Sequence, residues 1–194
     1  MMRRIGVTGG IGSGKSFVCG ILRERLNVPC YDCDKEAQRI MGSDPAVREA
    51  LRKLLGSGVF LRDGSLDKPL LAAYLFASEH NARRVNAIVH PAVRRDLREW
   101  LGRQEAPTVC VESAILLESG FDKEVDEILV VTASPETRLR RAMRRLGATQ
   151  EDVEARMRRQ DTGLALDRAT HVISNETGTS EEDILNQLKK TILC

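Results

Sequence analysis

A glycine-rich segment near the start of the chain contains the residue types that bind phosphate groups. It reads GGIGSGKS over residues 9–16 and follows a short apolar run that ends at Val7. Its glycines let backbone N–H groups converge on an anion, and a helix that follows adds its positive N-terminal end. The spacing satisfies G-x-x-x-x-G-K-[ST], which predicts a nucleotide-binding loop with Lys15 on the β- and γ-phosphates and Ser16 on Mg²⁺.

Carboxylates follow two of the predicted strands. Asp32 and Asp34 come directly after the second strand, whose carboxyl end should lie beside the phosphate loop. While the backbone stays extended, both project to the same face, where one could orient Mg²⁺ or its waters and the other accept a hydroxyl proton. The alternative for Asp34 is a helix cap ahead of Lys35. Glu112 ends the third strand, either as a ligand to a metal-bound water or as an ordinary strand-end charge.

Arginines are concentrated in one part of the chain. Eight lie between Arg138 and Arg159, although the net charge is only +2. Such a cluster suits nucleic acid or nucleotide phosphates, while a solvated helix face is the alternative for most of its members. Helical spacing puts Arg138, Arg141 and Arg145 on one face, where a lid could clamp a phosphoryl group. Four Phe, two Tyr and one Trp offer few stacking platforms for nucleic acid.

Apolar runs and helical patterns alternate along the chain, which predicts an α/β fold with a parallel sheet covered on both faces. The region from Lys35 to Arg103 is almost purely helical and too long for one crossover, so it indicates a helical insertion. Within it, a turn is expected at Asp63–Ser65 and a helix boundary or restart at Pro91. The predicted strands are residues 4–8, 28–31, 109–112, 128–132 and 171–174.

Length and composition set the class of protein. The chain has 194 residues, 42% hydrophobic and 30% charged, which is typical of one globular domain with room for a small insertion. No run of 18 apolar residues occurs and the N-terminus lacks a signal-peptide cleavage site, so a cytoplasmic protein is expected. Five cysteines with irregular spacing predict no disulfide framework, and Cys30-x-x-Cys33 is only a weak redox or zinc signal without a second pair.

Three classes of nucleotide-binding protein compete at this point. The chain has no N-K-x-D guanine-reading motif, which disfavours a GTPase switch, and it is short for a motor. A small-molecule kinase is favoured because the carboxylates and the basic helix supply the further parts that it needs. A P-loop regulator that binds nucleic acid and a different nucleoside or nucleotide kinase remain the alternatives.

The chain is similar, nearly from end to end, to the dephospho-coenzyme A kinase family. The first motif is common to P-loop proteins, but the ordered set is specific. In chain order the motifs are GVTGGIGSGKS from Gly6, Asp32-Cys33-Asp34, Gly64-Ser65-Leu66-Asp67-Lys68, His90-Pro91, Leu116-Leu117-Glu118-Ser119-Gly120, Arg141 to Arg145, Arg156 to Gln160, and Val172-Ile173-Ser174-Asn175.

The resemblance implies a P-loop NTPase three-layer fold with a five-stranded parallel sheet, a helical substrate-binding insertion and a short lid. The implied parts are a nucleotide-binding core at 1–34, 104–135 and 161–194, an acceptor domain at 35–103 and a lid at 136–160. The implied reaction transfers the γ-phosphate of ATP, with Mg²⁺, to the ribose 3′-hydroxyl of dephospho-CoA, the last step of coenzyme A biosynthesis. The expected partners are these two substrates, without nucleic acid or membrane, and the expected state is a monomer or weak homo-oligomer.

By position, the resemblance makes Asp34 the general base, while Lys15 and Arg141 stabilise charge on the transferring phosphoryl group. The implied ATP-binding residues are Gly10, Ile11, Gly12, Ser13, Gly14, Lys15, Ser16, Phe17, Arg145 and Asn175. The implied acceptor-binding residues are Asp32, Asp34, His90, Leu116 and Glu118, and the metal ligand is Ser16. The alternative for His90 is a partly buried histidine at a helix start.

Three positions depart from the family pattern. Ala114 stands in place of a proline, His171 in place of an aspartate and Asn86 in place of a glutamate. The change at His171 predicts the loss of a cap or charge contact behind the adenine loop. None of the three lies in the phosphate loop or the D-x-D, so they bear on acceptor affinity more than on the reaction.

Overall fold

Five parallel strands form one sheet in the order β2-β3-β1-β4-β5. The computed structural model describes residues 2–147, 149–158 and 162–192, so Arg159 and Gln160 of the sequence motifs lie outside the described residues. The strands are β1 (Arg3–Thr8), β2 (Cys30–Asp32), β3 (Thr108–Glu112), β4 (Glu127–Thr132) and β5 (His171–Ser174). The five-stranded parallel sheet predicted from the sequence is confirmed.

Helices connect the strands, as the alternation of apolar runs and helical patterns in the sequence predicts. None of them, within the ranges given above, has both the length and the apolar character needed to cross a membrane. They are α1 (Lys15–Leu26), α2 (Cys33–Ser43), α3 (Pro45–Leu55), α4 (Lys68–Ala77), α5 (Glu79–Gly102), α6 (Pro135–Leu146), α7 (Gln150–Arg158), α8 (Thr162–Asp167) and α9 (Glu181–Ile192).

The chain divides into two compact units. One unit contains the chain up to Asp32 and from Gln104 onward, and it holds the whole sheet. The other unit, Cys33–Arg103, contains α2 to α5 and is helical. The boundary between them falls inside the D-x-D motif. A separate lid at 136–160 stays a prediction.

The core of the sheet unit lies where α1 and α9 pack against the sheet. Leu22 of α1 and Leu188 of α9 are fully buried in one cluster with Ile5 and Val7 of β1 and Leu129 of β4. Burial of such side chains contributes about 1.5–3 kcal/mol each. This packing fixes the direction in which α1 leaves the end of β1.

The predicted turn at Asp63–Ser65 is confirmed, and α9 begins with a capping box. At the start of α9, Ser180 N donates to Asp183 Oδ2 at 2.9 Å while Asp183 N donates to Ser180 Oγ at 3.1 Å, a capping box with aspartate. In the helical unit, Ser65 N donates to Asp63 Oδ1 at 2.9 Å, and Gly64 takes φ 83° to close the turn. The polar residues at these points therefore carry the turns that their types predict.

The prediction that Pro91 marks a helix boundary is wrong, because α5 runs from Glu79 to Gly102 with Pro91 inside it. A proline within a helix removes one backbone hydrogen bond. The buried stripe of Val85, Val89 and Val93 continues on both sides of the proline, and this packing keeps the helix continuous. His90 accordingly lies in mid-helix rather than at a helix start.

The second strand begins later than predicted, at Cys30 instead of Val28. Asn27 takes a left-handed conformation with φ 52°, and Val28 N donates to Leu22 O at 2.9 Å. The amide of Val28 is therefore used to end α1, so it cannot join the sheet.

The cysteines also differ from the prediction. A disulfide joins Cys30 of β2 to Cys110 of β3, which are 80 residues apart in the sequence. Cys33, the second cysteine of the C-x-x-C, is buried and is not part of this disulfide. The two cysteines of the C-x-x-C, a weak redox or zinc signal in the sequence, are therefore not joined to each other.

Three neighbouring strands are joined at one end by a charged cluster around Glu127. Arg3 of β1 donates from Nε and Nη2 to the two carboxylate oxygens of Glu127 at 2.7 Å each. His171 of β5 lies with Nε2 2.7 Å from Glu127 Oε2. The imidazole of His171 thus pairs with Glu127 on β4, whereas the predicted loss of a contact behind the adenine loop stays a prediction.

This cluster makes stability depend on pH. Hydrogen bonds from Arg3 and, more weakly, from His171 hold the pKa of Glu127 below its usual 4.5. The ionised carboxylate therefore stabilises the fold above about pH 4.5, and this contribution is lost as the pH falls through the lowered pKa. We predict that Glu127→Gln lowers the free energy of unfolding by roughly 1–2 kcal/mol at pH 7.

The measurement is urea unfolding of wild type and Glu127→Gln, followed by circular dichroism at several pH values down to about 3.5. The difference between the two proteins should shrink below pH 4.5. Glu105→Gln, a change at an exposed loop residue, is the matched control and should leave the free energy of unfolding nearly unchanged at any pH. A difference that stays constant over this pH range would contradict the role given to the Glu127 charge.

Candidate active site

The phosphate loop lies between β1 and α1, where the chain leaves the middle of the sheet. Gly12 has φ 78°, and a Cβ there would lie 2.1 Å from the carbonyl oxygen of Arg138. Gly14 has φ 94° and is the N-cap of α1, with no side-chain hydrogen bond at this cap within the described part of the chain. The amide groups of the first turn of α1 therefore face the loop, as an anion site requires.

Side chains bind the carbonyl oxygens of the phosphate loop. Lys15 Nζ donates to Gly9 O at 2.7 Å, and Asn175 Nδ2 donates to Ser13 O at 2.9 Å. Arg138 Nε donates to Ile11 O at 3.1 Å. Because the carbonyl oxygens are held in this way, the loop is fixed with its amides available for a ligand.

Arg138 contacts the phosphate loop directly, which its position in the sequence does not predict. It lies one turn after Ser134, the N-cap of α6. The side chain of Ser134 accepts a hydrogen bond from Thr137 N. Burial lowers the pKa of the Arg138 guanidinium, which nevertheless stays charged because arginine titrates far above neutral pH. Helical spacing had placed Arg138 on the same face as Arg141, but only the structure shows which arginine contacts the loop.

Arg141 and Asn175 belong to one group of contacts at the end of β5. Arg141 donates from Nη1 to Asn175 O at 2.8 Å and from Nη2 to Glu176 O at 3.0 Å. The Glu176 carboxylate accepts from Ser134 N at 2.6 Å and so ties this loop to the start of α6. Arg145, one turn beyond Arg141, is exposed, so the predicted basic face is only partly used in these contacts.

Ser16 is held at the end of the phosphate loop by a carboxylate from the neighbouring strand. Its hydroxyl donates to Glu112 Oε1 at 2.7 Å, and Glu112, at the end of β3, is buried. Burial, together with the negative charge of the neighbouring Glu112 carboxylate, raises the pKa of the Cys19 thiol, which lies one turn further along α1. Hydroxyl and carboxylate oxygens are the ligands that Mg²⁺ prefers, so Ser16 and Glu112 fit a magnesium ion or its waters.

The two carboxylates of the D-x-D motif do not lie on one extended segment. Asp32 ends β2 and is paired in register with Glu112 of β3. Asp34 lies in the first turn of α2, because the helix begins at Cys33 immediately after the strand. The expectation of an extended backbone through Asp34 is therefore wrong. Asp34 is exposed there, within the first turn rather than at a cap, where its negative charge suits the helix dipole.

The predicted acceptor residues have different surroundings. In the sheet unit, Leu116 is fully buried against Gly6, whereas Glu118 is exposed in the same turn. In the helical unit, His90 is partly buried, and desolvation together with the charge of Arg94 lowers its pKa below the usual 6.5. Both effects favour the neutral imidazole. The acceptor-binding roles of these residues stay predictions.

Comparison with known proteins agrees with the motifs. The family model described as CoaE, dephospho-CoA kinase, matches residues 3–181. A dephospho-CoA kinase from Bacteroides fragilis is 43% identical over 194 residues, covering 99% of this chain and 92% of that protein. One from Porphyromonas gingivalis is 40% identical over 176 residues, covering 90% of this chain and 86% of that protein.

Solved structures give the same result for the fold. The crystal structure of TT1252 from Thermus thermophilus has a TM-score of 0.85 and 37% identity, and the match covers 99% of this chain and 96% of that one. Shikimate kinase from Bacteroides thetaiotaomicron has a TM-score of 0.62 at 16% identity over the full length of both chains, a likeness of fold alone. The chain therefore belongs to the dephospho-CoA kinase family.

Proposed function

We infer that this protein transfers the γ-phosphate of ATP to the ribose 3′-hydroxyl of dephospho-CoA and so forms coenzyme A. The observation that carries the inference is membership of the dephospho-CoA kinase family over residues 3–181, which includes the whole sheet. In the reaction the hydroxyl oxygen bonds to the γ-phosphorus, the bond to the β–γ bridging oxygen breaks, and ADP leaves. The hydroxyl proton passes to a base.

The phosphate loop supplies the binding site for the nucleotide. Its carbonyl oxygens are bonded by Lys15, Arg138 and Asn175, which supports a loop preorganised for phosphate before ATP arrives. Ser13 Oγ is fully buried and has no hydrogen-bond partner among the described residues, as is suited to a site completed by a ligand. We assign the β- and γ-phosphates to this loop, with Lys15 moving from Gly9 O to the phosphate.

ATP-dependent kinases act on the magnesium complex of ATP. We assign the metal to Ser16, whose hydroxyl already meets the Glu112 carboxylate at 2.7 Å. When bound there, the ion would neutralise charge on the β- and γ-phosphate oxygens. Glu112 would hold the hydroxyl and the metal-bound waters in place.

Asp34 is the proposed general base, because it is the carboxylate that matches the second aspartate of the family motif. Its exposed position in the first turn of α2 leaves the carboxylate accessible to a substrate hydroxyl. Arg141 is the proposed cation for the transferring phosphoryl group, and its present bonds to carbonyl oxygens of the Asn175 loop restrict it to that region. The helical unit, with His90, is the proposed acceptor domain.

The first experiment measures phosphate transfer from Mg·ATP to dephospho-CoA, beside AMP, CMP, shikimate and adenosine as acceptors. We expect strong and selective turnover of dephospho-CoA. Transfer to another acceptor instead would contradict the proposed substrate while preserving the kinase. Clear ATP binding without turnover of any acceptor would contradict the kinase itself.

The second prediction concerns the base. Asp34→Asn keeps the size of the side chain but removes the proton acceptor, so we expect kcat to fall by about 10²-fold or more while the Kd of ATP stays unchanged. Glu49→Gln, an exposed carboxylate on α3, is the matched control and should retain full activity. An Asp34→Asn enzyme with most of its kcat would refute this assignment.

The third prediction concerns Arg138. Its removal leaves the carbonyl oxygen of Ile11 without its bond and loosens the phosphate loop, so Arg138→Ala should weaken ATP binding about tenfold or more. Arg144→Ala on the same helix, at an exposed position, should have little effect. Equal losses in the two variants, measured by calorimetry with Mg·ATP, would mean that general positive charge and not loop support matters.

A further inference from the structure

Three cysteine sulfurs from α1 and two adjacent strands lie close together in the sheet unit. Cys19 lies on α1, Cys30 on β2 and Cys110 on β3, and their sulfur atoms all lie within 4.8 Å of one another. Cys30 and Cys110 are joined as a disulfide, and Cys19 is a buried free thiol. These residues have no part in the nucleotide chemistry derived above.

The register of the sheet brings Cys30 and Cys110 together. They are paired residues on adjacent parallel strands, with their Cα atoms 4.6 Å apart. This separation lies within the range that a disulfide spans without a shift of the backbone. The pair can therefore be linked or open with the same arrangement of β2 and β3.

The surroundings of Cys30 suit both a disulfide and a reduced thiol. Its sulfur lies 3.4 Å from Val28 O and 3.5 Å from Cys19 O, so a reduced thiol has acceptors for its hydrogen. Cys30 is partly exposed, whereas Cys110 is fully buried. An external reagent would therefore meet Cys30 first.

Each cysteine of the pair lies two residues before a carboxylate of the candidate site on the same strand. Side chains two residues apart on a strand share a face, so Cys30 shares its face with Asp32 and Cys110 shares its face with Glu112. Asp32 and Glu112 are themselves paired in register. Because β2 has three residues and lies at the edge of the sheet, a covalent link to β3 fixes the strand that ends in Asp32.

We propose that Cys30 and Cys110 form a reversible thiol–disulfide site whose oxidised form holds β2 against β3. The co-reactant is a small-molecule disulfide. The Cys30 thiolate attacks one of its sulfurs, forms a mixed disulfide and releases one thiolate. The Cys110 thiolate then attacks the Cys30 sulfur and releases the second.

The two protons lost by the protein thiols go to the two released thiolates, so two electrons pass from the protein to the reagent. Cys19 takes no part in the exchange. It lies on α1, whereas Cys30 and Cys110 are paired in register on adjacent strands with their Cα atoms 4.6 Å apart. The proposal thus commits to one pairing among the three sulfurs.

The test uses the full chain, reduced with dithiothreitol, desalted and equilibrated in mixtures of reduced and oxidised glutathione. After acid quenching, denaturation and alkylation, mass spectrometry should show two fewer labels in the oxidising mixtures and a linked Cys30–Cys110 peptide. Dithiothreitol should restore both labels. Cys33→Ser, a buried cysteine outside the cluster, should keep the link, and Cys30→Ser should lose it.

The structural consequence is measured on wild-type protein in the two states, so it does not depend on whether a variant folds. The oxidised form should unfold at a temperature higher by roughly 5–10 °C, because the link closes a long loop in the unfolded chain. Hydrogen exchange at Tyr31 and Asp32 should also be slower in that form. Neither readout involves kinase activity, so the outcome is independent of the proposed function.

Three results would overturn the proposal. The first is a protein that keeps all its labels in every glutathione mixture. The second is a Cys19–Cys30 link in place of the Cys30–Cys110 link. The third is tight binding of Zn²⁺ to the reduced protein that blocks oxidation, because three thiols this close also suit a soft metal.

Discussion

The sheet unit depends on one constraint, that the phosphate loop must keep its amide groups available while its carbonyl oxygens are bonded. Lys15 and Arg138 bond carbonyl oxygens of the first half of the loop, and Asn175 bonds Ser13 in the second half. These donors come from α1, from α6 and from the end of β5. The order of the strands is what allows them to meet, since β4 lies beside β1 and β5 beside β4. Loop geometry and sheet topology are therefore parts of the same requirement.

The basic side chains consequently have two functions. The sequence indicates phosphate binding for Lys15 and the arginines of α6, but in the structure their donors lie on backbone oxygens. A cation that already bonds a carbonyl oxygen loses less conformational entropy when a phosphate replaces that partner. The short contact of Lys15 with Gly9 O fits this behaviour. The backbone of Arg138 packs closely against the phosphate loop, since its carbonyl oxygen would lie 2.1 Å from a Cβ on Gly12. Arg138 therefore has less freedom to move than Lys15.

Much of the fold could be predicted from local patterns, and the misses have physical causes. The strands and the turn at Gly64 follow from residue types. The helix boundary predicted at Pro91 was wrong, because the tertiary packing of α5 outweighs the one hydrogen bond that the proline removes. At the site, the glycine-rich loop is a local motif, and the sequence alone predicts its position between β1 and α1. The Arg138 contact and the Glu112–Ser16 bond join residues about a hundred or more positions apart, and no local pattern carries such a pairing. The same holds for the Cys30–Cys110 disulfide.

Glu112 connects the phosphate loop with the cysteine cluster of the sheet unit. One carboxylate oxygen accepts from Ser16, the thiol of Cys19 lies against the same group, and the strand that carries it is linked to β2 through Cys110. A buried carboxylate needs such partners, because an unpaired charge at this depth would cost several kcal/mol. A metal at Ser16, as proposed above, would add a positively charged partner to these two neutral ones. The end of β3 is thus the point at which the stability of the sheet and the chemistry assigned to the phosphate loop depend on the same side chain.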